Sequence, residues 1–215
     1  MMDSDFEVLS YEFEAEREWR TKELKNIKLL FLFISERIKK ENYCDVYLKM
    51  NIPMIYAHWE GFVVAAYKIT FEYLNRKSLN PKQISSKLLT YANKDSYDSL
   101  KGKHSFSQKC DFTNKFLKNL EKEIKITGKV DTKSNLKFKV LVELLEIFDI
   151  DFKVFEPYKD RINKLVDVRN AIAHGENSIK ITYGDVEEYV GIITDMMDKL
   201  IIELLKYINQ EKYMK

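Results

Sequence analysis

Residues that interrupt helices are scarce in this sequence, and that scarcity limits the folds open to it more than any other feature. Its 215 residues include only six glycines and three prolines. Glycine and proline are the strongest breakers of regular secondary structure. Apolar residues also recur at the three- and four-residue spacing of amphipathic helices through nearly the whole chain. The sequence therefore predicts an all-α fold.

Seven amphipathic segments account for most of the predicted helices. They cover residues 6–39, 46–75, 81–92, 105–121, 135–148, 157–175 and 185–212. The second begins either near Val46 or at Pro53, since proline favours the first turn of a helix. Asn80-Pro81, Ser105 with Gln108, and Thr182 with Asp185 are predicted N-terminal caps. The segments 93–104 and 125–134 are predicted loops.

Length and composition favour one domain and exclude several classes of protein. A chain with 45% hydrophobic residues at this length buries one sizeable core, so we predict a single domain over residues 1–215. Residues 1–10 lack the features of a signal peptide, and the apolar run 29–34 is too short to span a bilayer. Cys44 and Cys110 have no metal-binding or disulfide spacing. We therefore expect a cytoplasmic protein without a membrane segment, a metal or a cofactor.

Charge is distributed unevenly along the chain. The segment 101–139 contains eleven lysines and only four acidic residues, whereas the first 24 residues contain eight acidic and three basic ones. Such a basic segment attracts phosphate groups. The alternative is an ordinary solvated surface, because lysines outnumber arginines throughout the chain. Both interpretations stay open from the sequence.

Arg169 and His174 occupy different faces of one predicted helix. At about 100° per residue, Arg169 falls within the apolar arc, whereas Asp167, Asn170 and His174 share a flank. A guanidinium is permanently charged, so this placement needs a carboxylate, a phosphate or a water-filled interface as its partner. His174 lies about 140° from Arg169, which makes it difficult for one helix to direct both to one phosphate. Fraying of the helix end at Gly175 or a second copy of the protein would relieve this mismatch.

The two residue types suit phosphoryl chemistry. An imidazole changes charge near neutral pH and serves as a general acid or base. A guanidinium offers a planar set of donors that holds phosphate oxygens as charge develops. The alternative is structural, in which Arg169 pairs with a buried acid and His174 caps the helix end.

Two segments resemble a known superfamily. The sequence Arg-Asn-Ala-Ile-Ala-His at 169–174 precedes a final long helix and resembles the R-x4-6-H motif of the HEPN superfamily (higher eukaryotes and prokaryotes nucleotide-binding domains). The sequence Ile-Tyr-Ala-His-Trp-Glu-Gly-Phe at 55–62 is similar to a segment of stand-alone bacterial HEPN-like nucleases of phage-defence, restriction and toxin-antitoxin loci. The resemblance covers roughly residues 25–210 and implies a HEPN-like antiparallel helical bundle with additional short helices.

The resemblance implies a metal-independent endoribonuclease that leaves 2′,3′-cyclic phosphate. His174 would activate the 2′-hydroxyl or protonate the leaving oxygen, Arg169 would stabilise the transition state, and Asn170 would position the substrate or the histidine. The enzyme would be a homodimer with a composite active site, acting in phage defence or as a toxin, with an antitoxin or a defence-complex partner. The alternatives are a catalytically silent HEPN-like module that binds nucleotide, RNA or protein, and a plain helical interaction protein.

Further residues are assigned supporting roles. Glu60 lies on a segment that is apolar almost all round, a pattern typical of a buried helix. Its carboxylate needs a partner, and Arg169 is the candidate, with Tyr56 or a backbone group as the alternative. Asp167, on the flank of His174, is a second supporting residue. Lys101, Lys103 and His104, in the basic segment, are candidate contacts to the RNA substrate.

Overall fold

The computed structural model describes residues 4–37, 41–98, 100–102 and 105–215. In these ranges it contains eight α-helices and no β-strand, and it is 75% helical, which confirms the all-α prediction. The helices are α1 (Ser4–Arg37), α2 (Glu41–Arg76), α3 (Ser86–Ala92), α4 (Lys94–Asp98), α5 (Phe106–Asn119), α6 (Phe138–Leu145), α7 (Lys159–Ala173) and α8 (Tyr183–Asn209).

Both α2 and α8 run antiparallel to α1. The Tyr47 hydroxyl on α2 donates to the Ile27 carbonyl at 2.8 Å. At the start of α8, Tyr183 stacks on Phe31 with ring centroids 4.6 Å apart, and further along α8 Asp198 pairs with Arg17. Together with α7, which packs against α2, these helices form the predicted antiparallel bundle.

The core is built mainly from α2 and α8. Both helices repeat apolar side chains at helical spacing, so burial of those faces stabilises the bundle. Phe148, from the turn after α6, lies 4.8 Å from Tyr67 of α2 and 5.0 Å from Tyr207 of α8 between ring centroids. All three rings are almost completely buried. Aromatic packing therefore joins α2 and α8 to the turn that follows α6.

Two of the predicted caps and the predicted end of α7 form as expected. Reciprocal capping boxes start α5 at Ser105 with Gln108 and α8 at Thr182 with Asp185. The Thr182 hydroxyl donates to the Asp185 carboxylate and holds its pKa below the ordinary value, although burial opposes this effect. After α7, Gly175 has a φ of +79°, a left-handed conformation that favours glycine at a helix end.

The predicted starts of α2 and α3 are wrong. The helix α2 begins at Glu41 and continues through Pro53, because the buried residues Leu48 and Ile52 hold its first turns against the bundle. The helix α3 begins at Ser86, and its cap is Ser85 rather than Asn80. Asn80 instead accepts a hydrogen bond from the nearby Lys82 N–H within a turn.

The start of α6 and the loop after α3 also differ from the predictions. The helix α6 begins at Phe138 rather than Asn135, because Lys137 is extended, with φ −70° and ψ 164°, and is the N-cap residue. The segment 93–104, predicted as a loop, contains the short helix α4. No helix in the part of the chain that the structure describes has the length and apolar content of a membrane span.

His58 is the buried histidine of the α1–α2 interface. Its side chain is only 6% exposed, and its Nε2 atom lies 3.2 Å from the Glu23 carboxylate. Burial lowers the pKa of His58; the Glu23 carboxylate opposes this shift, and the Arg20 guanidinium adds to it. The imidazole ring also packs edge-on against Trp19. The fold therefore favours neutral His58.

We expect acid to destabilise this protein through His58. Because its folded pKa lies below the ordinary value of about 6.5, the unfolded chain takes up the proton first as the pH falls. The free energy of unfolding, measured by urea denaturation at about pH 7.5 and about pH 5.5, should be lower at the acidic pH. His58→Gln should weaken that dependence, and an identical pH dependence in the variant would contradict this assignment.

Candidate active site

Arg169 is held against α2 and against the loop that precedes α6. Its guanidinium carbon lies 4.1 Å from the centre of the Tyr56 ring, a cation–π contact. Its Nη2 atom donates to the Ser134 carbonyl at 2.8 Å. The Nε atom is buried and has no hydrogen-bond partner among the described residues. Arg169 therefore has a defined orientation, while most of its five N–H groups make no hydrogen bond within that part of the chain.

Glu60 is bonded to Tyr56, the alternative partner that the sequence left open, rather than to Arg169. Its carboxylate accepts hydrogen bonds from the Tyr56 hydroxyl at 3.0 Å and from the Thr132 hydroxyl at 2.7 Å. Across the described ranges no ion pair joins Glu60 to Arg169. Glu60 is thus linked to the arginine through the Tyr56 ring rather than by direct contact of charges.

Tyr56 connects three parts of this site. Besides donating to Glu60, its hydroxyl accepts the backbone N–H of Leu136 at 2.8 Å. Burial raises the pKa of Tyr56, the Leu136 N–H opposes this shift, and the Glu60 charge adds to it. The neutral phenol is therefore the stable form, and it donates and accepts at the same time.

Asn170 and Asp167 have separate partners. The Asn170 Nδ2 atom donates to the Asn135 side-chain oxygen at 2.8 Å. Asp167 is exposed and pairs with Lys137 at 2.5 Å, so it takes no direct part in the contacts around Arg169. The supporting role of Asp167 stays a prediction.

The loop from Thr132 to Asn135 contributes residues that sequence reasoning missed. Its contacts reach Glu60, 72 positions away, and Arg169, 35 positions away. The sequence carries no signal for contacts at such separations, and the segment was predicted only as a loop ending at 134. The structure shows it as one wall of the candidate site.

This loop holds an unfavourable backbone conformation. Lys133 and Ser134 are consecutive non-glycine residues in the left-handed region, with φ values of +54° and +51°. Such a residue costs about 1–2 kcal/mol. The hydrogen bonds of Thr132 and Leu136 on either side hold the loop in place. Strain that surrounding contacts maintain in this way is typical of functional sites.

His174 lies at the end of α7 and is exposed. It is the C-cap residue, and its backbone N–H donates to the Asn170 carbonyl at 2.9 Å. Among the described residues, no hydrogen bond joins its imidazole to Arg169. The structure thus brings Arg169 and Asn170 together at the loop, although Asn170 was predicted to share a flank with His174, and it leaves His174 exposed to solvent.

The other predicted site residues lie elsewhere. Lys101 forms an exposed ion pair with Asp98 at 2.6 Å. Lys103 and His104 lie outside the described residues. Contact of these three residues with a substrate therefore stays a prediction. Within the described ranges, no cluster of three or more histidine, cysteine, aspartate or glutamate residues is arranged to hold a metal ion.

An apolar surface lies at the same end of the bundle as His174. Lys49 on α2 approaches the carbonyl of Asn177, three residues beyond His174, at 3.4 Å. Eight of the sixteen exposed large hydrophobic side chains of the described residues belong to the adjoining ends of α1 and α2, and we call them the arm surface. They are Leu29, Leu30, Leu32, Phe33, Tyr43, Val46, Met50 and Met54.

Comparison with known proteins identifies a family. The family model described as RiboL-PSP-HEPN matches residues 15–206 of the chain. The match begins within α1 and ends within α8, so it includes Tyr56, Glu60, Arg169 and His174. No curated protein and no solved structure matches the chain.

The hydroxyl of Tyr56 is expected to stabilise the site and the fold. Tyr56→Phe leaves the buried Leu136 N–H without its acceptor, so the free energy of unfolding should fall by about 1–3 kcal/mol. Tyr67→Phe is the matched control, since the described residues provide no hydrogen-bond partner for the completely buried Tyr67 hydroxyl. That variant should be neutral or more stable.

Urea denaturation of both variants provides the measurement. Equal loss of stability in Tyr56→Phe and Tyr67→Phe would contradict the bridging role of Tyr56.

Proposed function

Because this chain belongs to the RiboL-PSP-HEPN family, we propose that it is a metal-independent endoribonuclease in which residues 169–174 form the R-x4-6-H motif. One observation carries the proposal: the Arg169 guanidinium is oriented by Tyr56 and Ser134 while most of its donors stay unused in the described structure. A cation that is oriented but not neutralised is suited to bind a phosphate.

The proposed reaction is transesterification within the RNA. The 2′-hydroxyl oxygen attacks the adjacent phosphorus, the bond to the 5′-oxygen breaks, and the products carry a 2′,3′-cyclic phosphate and a 5′-hydroxyl. His174, exposed at the helix end, removes the 2′-proton or protonates the leaving oxygen. Arg169 binds the phosphate oxygens as negative charge develops, and Asn170 positions the substrate or the histidine.

We further propose that the active enzyme is a homodimer with a composite site. Within one subunit Arg169 is directed towards α2, whereas His174 is exposed at the end of α7. In the proposed dimer, His174 of each subunit meets Arg169 of the other subunit. The arm surface lies at the same end of the bundle as His174, and its side chains Val46, Met50 and Met54 recur at helical spacing on one face of α2. An exposed apolar surface of this kind is typical of an interface between proteins.

The cellular part of the proposal comes from the family resemblance alone. It assigns the protein to the cytoplasm, as a phage-defence or toxin-antitoxin effector restrained by an antitoxin or a defence-complex partner.

The second candidate is a catalytically silent HEPN-like module that binds nucleotide, RNA or a protein. The observation that favours it is the engagement of Arg169 by the Ser134 carbonyl, with no contact to His174 in the described structure. A silent module has no requirement for His174, so measurement of cleavage separates the two candidates.

Purified protein should cleave RNA in the presence of EDTA and leave 2′,3′-cyclic phosphate ends. His174→Ala and Arg169→Ala should each reduce the rate by about 10²-fold or more, in line with typical acid–base and electrostatic contributions. Arg161→Ala is the matched control, because Arg161 is an exposed arginine of α7 that pairs with Glu188. It should retain the activity. Intact RNA with folded wild-type protein would contradict the proposed activity.

The arm surface is expected to maintain the dimer. Phe33→Glu combined with Met50→Glu places two charges on it, so light scattering should show a monomer, and RNA cleavage should be lost with the composite site. Phe106→Glu is the matched control, since Phe106 is 82% exposed on α5, outside the arm surface. That variant should remain dimeric and active. A monomeric wild-type protein that cleaves RNA would contradict the composite site.

A further inference from the structure

We propose that the loop Thr132–Asn135 belongs to the active site and that Asn135 is a positioning residue for Asn170. This inference rests on the proposed function and extends it to a segment outside both sequence motifs. Asn135 acts through Asn170 and is not assigned contact with the reacting atoms.

Two consecutive residues of the loop contact two consecutive residues of the R-x4-6-H motif. The Ser134 carbonyl accepts a hydrogen bond from Arg169, and the next residue, Asn135, accepts one from Asn170. Both distances are 2.8 Å. Two adjacent loop residues therefore hold the two adjacent polar residues of the motif, and they set the position of one relative to the other.

The bond to Asn135 also couples the orientation of the Asn170 amide to that of the Asn135 amide. A carboxamide has an oxygen that accepts and a nitrogen that donates, and rotation by half a turn exchanges them. Because the Asn170 nitrogen donates to Asn135, its oxygen stays available as an acceptor for a substrate hydroxyl or a protonated imidazole. Without Asn135, both orientations of the Asn170 amide become accessible.

Hydrogen bonds on both sides of Asn135 hold the loop in place, so that Asn135 can position Asn170. Thr132 is bonded to Glu60, and the Leu136 N–H is bonded to Tyr56, so anchors lie on both sides of Asn135. Between them, Lys133 and Ser134 keep left-handed conformations. Asn135 itself is exposed. Its replacement should therefore change the chemistry more than the stability.

The test measures kcat and KM for RNA cleavage by full-length variants, and it measures the unfolding temperature of each variant. Asn135→Ala should lower kcat about threefold to tenfold, the rate equivalent of one neutral hydrogen bond, with KM and the unfolding temperature nearly unchanged. Asn135→Ser, which is too short to reach Asn170, should behave in the same way. Asn135→Asp keeps the acceptor, so kcat should return towards wild type while KM rises, because its charge repels the RNA phosphates. Asn209→Ala, an exposed asparagine at the far end of α8, is the matched control.

A double-mutant cycle shows whether Asn135 acts through Asn170. The variant with both Asn135→Ala and Asn170→Ala should be no slower than Asn170→Ala alone, because the interaction is already lost. The positioning role would be overturned if the wild type is active and Asn135→Ala has an unchanged kcat, or if the two substitutions have additive effects. The proposed function would then still stand. An inactive wild type would overturn both.

Discussion

The organisation of the candidate site depends on one permanently charged group placed where two helices meet. A guanidinium is permanently charged, and within the described residues no ion pair joins Arg169 to a carboxylate. Its charge is instead met by the face of Tyr56 and by the Ser134 carbonyl. These partners are neutral, so they orient the cation without cancelling it. An ion pair with Glu60 would have satisfied the arginine and weakened its attraction for a phosphate.

The surrounding residues follow from that arrangement. Tyr56 can present its ring to Arg169 only while its hydroxyl is held by Glu60 and by the Leu136 N–H. Glu60 in turn holds Thr132, which anchors the strained loop that supplies the carbonyl of Ser134. Each contact therefore supports the next, and the network joins α2, the loop and α7 into one wall. His174, at the end of α7, is exposed to solvent.

The long helix α2 shows why local propensity is a weaker guide than packing. Proline within a helix removes one hydrogen bond and crowds the preceding turn, so Pro53 was one of the two predicted starts of this helix, beside Val46. The helix instead extends twelve residues before it, because Leu48 and Ile52 are buried in the bundle. Burial of such side chains contributes about 1.5–3 kcal/mol each, which is enough to offset the lost bond.

The sequence by itself determined the helical class, the capping residues Ser105 and Thr182, the left-handed end at Gly175 and the inner position of Arg169. Each of these depends on helical periodicity or on contacts within a few residues, which a sequence displays directly. Only the tertiary structure decided the partners of Glu60 and Arg169 and the part played by Thr132–Asn135. The contacts of Glu60 with Thr132 and of Arg169 with Ser134 are 72 and 35 positions apart, so they exist only after the helices have packed and brought the loop against them.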